Sequence, residues 1–240
     1  MQANLRNWEP MPIAKPFFFD CETTGTDPRK SDIVQMSFEY NGDVKTLYCR
    51  PTRLDGIEEE ALKVTGLTID EIMAYPEPQE AMIQLLDFLD NHHGRYNSAS
   101  QPKAIFIAHN ARFDWDFFWD FFYRYVSRTQ PNPDKPGEFL PDVNLGNYFI
   151  KSPLCTLSSY ATAVATGKLD RPKGFNQTAL LELHGMKNEK AHDAECDMLG
   201  MRQLFYKVLC PTMNWPWVEP GLRTHSVCIP TLEQLEAARI

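Results

Sequence analysis

Phe17-Phe18-Phe19-Asp20-Cys21-Glu22-Thr23-Thr24-Gly25 runs from aromatic residues into two acids and then into a turn. The Phe run reads as a buried strand from Phe17 to Asp20. Side chains alternate faces along a strand, so Asp20 and Glu22 leave the same face and Cys21 points into packing on the other. Two bare carboxylates at that spacing repel each other unless a proton or a cation intervenes. Hard oxygen donors suit Mg²⁺ or Mn²⁺. Thr23-Thr24-Gly25 then turns the chain, and the glycine lets backbone approach a substrate closely.

Downstream, Asn41-Gly42 separates two strand-like runs, Asp32 to Tyr40 and Asp43 to Cys49, and predicts a hairpin. Helical pattern follows over Ile57 to Val64. A second helix opens at Thr68, where Glu71 stands at capping-box spacing, and a third spans Pro78 to Asn91. Ala104-Ile105-Phe106-Ile107-Ala108 is a short apolar run of the kind found in strands covered on both faces. A very aromatic helix, read as mostly core, is expected from Phe113 to Arg128. Thr129 to Asn147, with four prolines, reads as an irregular excursion. A strand end and a helix are expected over Leu154 to Ala165, and Asn176 caps a helix that runs through Leu183. The last long helix covers Ala191 to Leu209, with Pro211 as its breaker. Strands first, then strand and helix in alternation, give an α/β or α+β domain with a mixed sheet.

Two further segments place acid beside apolar residues. Asp114 follows the run that ends at Ala108, at the carboxyl end of a central strand, where α/β sheets place their sites. A helix-start acid favoured by the macrodipole would look the same. Asp116 and Asp120 read as solvated. His192 and Asp197 stand five residues apart near the start of the last helix. Five residues turn a helix by about 500°, so both reach the sheet best if His192 lies in the incoming loop and Asp197 in the first turns. The other five histidines read as packed or surface residues, and Asp193 and Glu195 as solvated or supporting Lys190. Acids that converge around divalent metal, with a histidine nearby, point to phosphodiester chemistry.

Taken in order, Asp20-x-Glu22-Thr23-Thr24-Gly25, His109-Asn110-Ala111-x-Phe113-Asp114 and His192-x-Ala194-x-x-Asp197 resemble the DEDDh 3′–5′ exonucleases. That family includes proofreading subunits of bacterial replicative polymerases, ribonuclease T and three-prime repair exonucleases. The resemblance covers roughly residues 16–210. It implies a ribonuclease-H-like fold, a five-stranded mixed sheet flanked by helices. Residues 1–15 are polar and read as a loose N-terminal segment, and 211–240, rich in Trp and Pro, as a C-terminal tail that wraps the domain, binds a partner or is partly disordered. By the same resemblance Asp20, Glu22, Asp114 and Asp197 hold two Mg²⁺ or Mn²⁺ ions, and His192 is the general base. Glu60 and Thr65 stand where relatives contact the terminal nucleotide, although many relatives carry His where this chain has Thr65. Leu67 would wedge against the last base and Thr23 would offer backbone to the 3′ end, with Thr24, Asn110 and Phe113 completing the substrate-binding set. The expected substrate is a DNA 3′ end, single-stranded, in proofreading or repair. A polymerase or another replication or repair protein is a candidate partner.

Composition bounds these expectations. The 240 residues are 43% hydrophobic and 12% aromatic, enough for one large domain with a core. Net charge is −8, which argues against a protein that coats nucleic acid by broad phosphate neutralisation, and less against an enzyme that grips a few nucleotides. The six cysteines include no Cys-x-x-Cys pair, which argues against a zinc site or a disulfide framework and for a reducing, cytoplasmic setting. No apolar run reaches the roughly 18 residues of a membrane span, and Met1 to Pro16 holds no signal-peptide h-region. Two rival readings stay open on the motifs: an exoribonuclease that trims RNA 3′ ends, and a non-catalytic binding module on the same scaffold. The second predicts loss of an acid or of the histidine, and all five residues are present.

Overall fold

The Phe run forms β1 (Lys15–Thr23), which is buried from Pro16 through Phe19. The computed structural model describes residues 14–93, 103–126, 144–188 and 190–224. Around β1 lie β2 (Ile33–Tyr40), β3 (Asp43–Tyr48), β4 (Ala104–Ala108) and β5 (Leu154–Cys155). The order β5-β4-β1-β2-β3 has β1, β2 and β3 antiparallel in succession and β4 and β5 parallel to β1. This is the expected five-stranded mixed sheet. A two-residue strand, β6 (Arg223–Thr224), adds alongside β3. Asn41 and Gly42 both take positive φ, 55° and 92°, as a two-residue hairpin turn requires.

Helices cover both faces. Between β3 and β4 come α1 (Glu59–Thr65), α2 (Ile69–Ala74) and α3 (Pro78–His93); α4 (Ala111–Tyr125) follows β4. Thr68 and Glu71 form the predicted capping box of α2. After β5 come α5 (Thr156–Ala165), α6 (Gln177–Leu183), α7 (Ala194–Leu204) and α8 (Cys210–Met213). Strand alternation divides the Phe run between the faces. Phe19 meets Phe118 of α4 at 4.9 Å between ring centroids, while Phe18 meets Phe205, just past α7, at 5.2 Å. All three rings are fully buried, and each such burial stabilises the fold by about 1.5–3 kcal/mol. The aromatic helix is mostly core: Phe117, Phe118, Phe121 and Phe122 are buried, whereas Trp119 stays half-exposed.

The helical run does not stop before Pro211. A π turn over Phe205–Leu209 joins α7 to α8, and the chain stays helical through Met213. Proline breaks an α-helix because it lacks an N–H and its ring clashes with the preceding turn. Here the widened turn precedes it, and Pro211 falls at the first positions of α8, where no N–H is needed. Of the N-terminal segment, residues 1–13 lie outside the described residues. So do 127–128 at the expected end of the aromatic helix, 129–143 of the proline-rich excursion and 225–240 of the tail. The described part of the tail packs on the domain: Trp215 and Trp217 each lie 5.5 Å from the Phe205 ring, and the Trp217 indole N–H donates to the Ala14 carbonyl at 2.7 Å.

Arg202 of α7 ties the tail to the hairpin. It is 2% exposed, with its Nε 3.4 Å from Glu39 and its guanidinium donating to Glu219 and to the Pro220 carbonyl. Removing one member of a buried ion pair strands the other charge. Arg202→Met is therefore expected to cost about 3–5 kcal/mol in urea unfolding, and adding Glu39→Met should return most of it. A cost below about 1 kcal/mol, the range of an exposed pair, would exclude that role.

Candidate active site

Asp20 and Glu22 lie at the carboxyl end of β1, on the face covered by α7. Beside them the β1–β2 register slips, from Glu22 opposite Gln35 to Thr23 opposite Ile33, so β2 carries one extra residue. Such a bulge bends a strand and re-aims its side chains. One carboxylate oxygen each from Asp20, Glu22 and Asp197 lie within 4.8 Å of one another. Asp114 comes from the other face, in the first turn of α4, and the Cys21 thiol is 3.7 Å from its Oδ1. Cys21 thus points away from Asp20 and Glu22, yet it supports the fourth acid rather than only packing. All four acids line one cleft of about 520 Å³, with His109, Asn110, Phe113, Gln177 and His192 among its walls.

His192 stands in the loop ahead of α7, and Asp197 in the helix's first turn, the arrangement that the five-residue spacing favoured. The exposed His192 has φ of 62°, left-handed backbone that few non-glycine residues adopt. Its N–H donates to Asp197 Oδ2 at 2.9 Å. No hydrogen bond among the described residues engages its ring. His109, by contrast, has both ring nitrogens committed, one to Thr156 Oγ1 at 3.1 Å and the other to the Phe175 carbonyl at 3.0 Å.

The acids suffer from one another's company. Burial pushes Glu22 up to about 8, with Asp197, Asp193 and Asp114 adding to the rise. Asp114 is pushed by burial to about 7, although the Cys21 S–H favours its charged form. Asp20 rises well above the usual carboxylate range through burial and then through Asp114, Glu22 and Asp197. Asp197 rises by burial, restrained by N–H donors from Asn188 and His192. Among the described residues, no Lys or Arg lines the cleft. Lys190 offsets only part of the rise at Glu22, and carboxylates gathered this closely, offering hard oxygen donors, fit divalent cations such as Mg²⁺ or Mn²⁺.

A second cleft of about 260 Å³ shares Cys21, Glu22 and Phe113 with the first and is walled by Thr23, Glu60 and Thr65. Two expected substrate residues stand apart from it. Thr24 is fully buried, and its Oγ1 accepts the Asp32 N–H at 2.9 Å, so its side chain serves the loop. Leu67 lines neither cleft; its N–H donates to Thr65 Oγ1 at 3.3 Å. A Cβ on Gly25 would fall 2.4 Å from the Ser31 hydroxyl and 2.7 Å from the Glu58 carboxyl, so a larger residue in the turn after the acids would displace both side chains. Asp120, read as solvated, is instead half-buried, 3.1 Å from both Arg53 and Arg124, beside the buried Asp32. Glu195, also read as solvated or supporting Lys190, accepts from Thr46 at 2.6 Å.

The family model described as Exonuclease, of the ribonuclease T type, matches residues 17–199, a span that holds all four acids and His192. The chain belongs to the DEDDh exonuclease family. No curated protein matches it by sequence. Its fold is similar to exonuclease I of E. coli in a zinc-ion-bound complex with single-stranded DNA, at TM-score 0.61 and 19% identity over 84% of this chain and 41% of that one. E. coli exonuclease I with a dT13 oligonucleotide aligns at 0.58 and 20%, covering 84% and 43%. Exonuclease I of Methylocaldum szegediense aligns at 0.58 and 18%, covering 85% and 42%. The chain thus spans about two fifths of the length of these structures.

Three residues of this DEDDh site carried no signal in the sequence. Asn188 donates from its side chain to Asp197 Oδ1. Gln177, at the start of α6, donates to the Asp197 carbonyl at 2.7 Å. Cys21 holds Asp114 from a position read as plain packing. The partners stand 9, 20 and 93 residues apart, and no helix or strand period reports such contacts.

Proposed function

We propose that this chain is a metal-dependent 3′–5′ exonuclease that releases nucleoside 5′-monophosphates from DNA 3′ ends. The observation that carries the reading is the meeting of Asp20, Glu22, Asp114 and Asp197 in one cleft that no Lys or Arg among the described residues lines, with the His192 ring at its wall. Asp20, Glu22 and Asp197 would hold divalent metal directly, and Asp114 would complete the set for a second ion. When bound, Mg²⁺ or Mn²⁺ lowers the pKa of water and neutralises charge on the phosphate oxygens. His192 takes the proton of the attacking water, a role suited to an imidazole at neutral pH. Phe113, which lines both clefts, Thr23, Glu60 and Thr65 would hold the terminal nucleotide, and Asn110 the cleft's far wall.

Single-stranded DNA is the proposed substrate, supported by the single-stranded DNA in the E. coli exonuclease I complexes that share this fold. Removal of 3′-terminal nucleotides is the chemistry that proofreading and repair require, and we assign the chain to that role, alone or with a polymerase-type partner. A time course on 5′-labelled single-stranded DNA, duplex DNA and RNA tests this. In Mg²⁺ the single-stranded DNA should shorten one nucleotide at a time, fastest of the three, and EDTA should stop it. Faster digestion of RNA would transfer the assignment to an exoribonuclease, and cleavage that persists in EDTA would remove the metal.

A further inference from the structure

Asp197 is held on three sides. Gln177 takes its main-chain carbonyl, the His192 N–H takes Oδ2 at 2.9 Å, and the Asn188 amide takes Oδ1. The Asn188 amide is oriented from both ends. Its Oδ1 accepts the Lys190 N–H at 3.3 Å, so its NH₂ must face the carboxylate. Flipping the group would set oxygen against oxygen at Asp197 and lose both bonds. Around it the turn is wired to the helix: Lys190 Nζ lies 3.1 Å from Asp193, and the Asp193 side chain accepts the Cys196 N–H to cap α7. His192, left-handed at φ 62°, sits inside this turn.

We propose that Asn188 is a positioning residue, whose amide latches the turn that carries His192 onto Asp197, so that one contact sets both the metal ligand and the base. A carboxylate oxygen has two lone pairs. Asn188 and the His192 N–H use one on each oxygen and leave the others for a cation. The latch therefore orders Asp197 without blocking it, and it fixes where the imidazole stands relative to the acids. This inference rests on the metal-centre reading above.

Its test is Mn²⁺ binding to the metal-free full chain, followed by electron paramagnetic resonance, with hydrogen exchange at the His192 amide. Asn188→Leu keeps the approximate volume and loses the donor; Asn188→Gln keeps the donor. The Leu variant is expected to bind Mn²⁺ about 10–100-fold more weakly, the usual loss when a ligand's hydrogen-bond support is removed. It should also lose protection at the His192 amide and lower kcat with little change in KM. The Gln variant should recover part of all three, which a residue that merely filled space would not. If Asn188→Leu does not fold, Asn188→Ser, too short to reach Asp197, takes its place. Wild-type Mn²⁺ affinity in the donor-less variant, or no recovery by Gln, overturns the latch. Asp20→Asn, measured in parallel, separates the two levels. If it too binds Mn²⁺ like wild type, the metal-centre reading itself fails; if it alone is weakened, only the latch does.

Discussion

Asp20→Asn is expected to slow 3′-end hydrolysis about a thousandfold, the several kcal/mol that metal-based charge stabilisation supplies, while making the metal-free protein more stable. Both effects have one cause. Asp20 is buried and feels Asp114, Glu22 and Asp197 together, so its own charge is costly to hold in the metal-free fold. In the folded chain Glu22 titrates near 8, against 4.5 for an ordinary glutamate. Between those values the folded protein binds more protons than the unfolded chain, so stability in EDTA falls as pH rises through that window. The contribution is fully present below pH 4.5 and gone above about 8. The fall should be on the order of a few kcal/mol, since each pH unit of displacement is worth about 1.36 kcal/mol. Mn²⁺ should cancel it in the wild type by neutralising the acids. In Asp20→Asn the fall should be shallower, and Mn²⁺ should restore less. Urea unfolding from pH 4.5 to 8, with and without Mn²⁺, measures it. A variant that digests DNA at the wild-type rate would eliminate Asp20 as a ligand, and a pH-independent wild type in EDTA would show that the acids do not strain the fold.

What was legible in the sequence follows from how local each cause is. Asp20 and Glu22 share a face because strand geometry makes residues two apart do so, and nothing distant can alter that. The hairpin at Asn41-Gly42 and the capping box at Thr68 are equally local. Asp114 and Asp197 joined the acids by resemblance, and the geometry that unites them is of another kind: Asp114 arrives from α4 on one face and Asp197 from α7 on the other. The misreadings lie where tertiary partners decide. Asp120 looked solvated because its partners, Arg53 and Arg124, are 67 and 4 residues away and only one of them is visible as a helical neighbour. Thr24 looked free for substrate because its bond to Asp32 forms only when the loop closes. Pro211 looked like a breaker because a π turn has no sequence pattern of its own.

His192→Gly is expected to lower kcat by about 10²–10⁴, the contribution of a positioned general base, with Mn²⁺ affinity and stability nearly kept. The backbone explains the choice of glycine. At φ 62° a side chain is disfavoured, and the strain it carries is roughly 1 kcal/mol or more. Glycine removes that strain but has more freedom to lose on folding, a cost of about 0.5–1 kcal/mol. The two nearly cancel. The N–H that holds Asp197 Oδ2 survives the substitution, since it belongs to the backbone. The variant thus separates two roles that one residue performs: the imidazole acts on water, and the amide positions a ligand. Loss of the imidazole should also erase the limb of the pH–rate profile that rises as a general base deprotonates. His192→Pro would instead remove the N–H and, with φ locked near −65°, could not hold the turn at φ 62°, so it should cost metal affinity and stability as well as rate. If His192→Gly keeps the wild-type rate and pH profile, the ring is not the base. If it loses Mn²⁺ affinity as proline does, the ring rather than the amide supports Asp197.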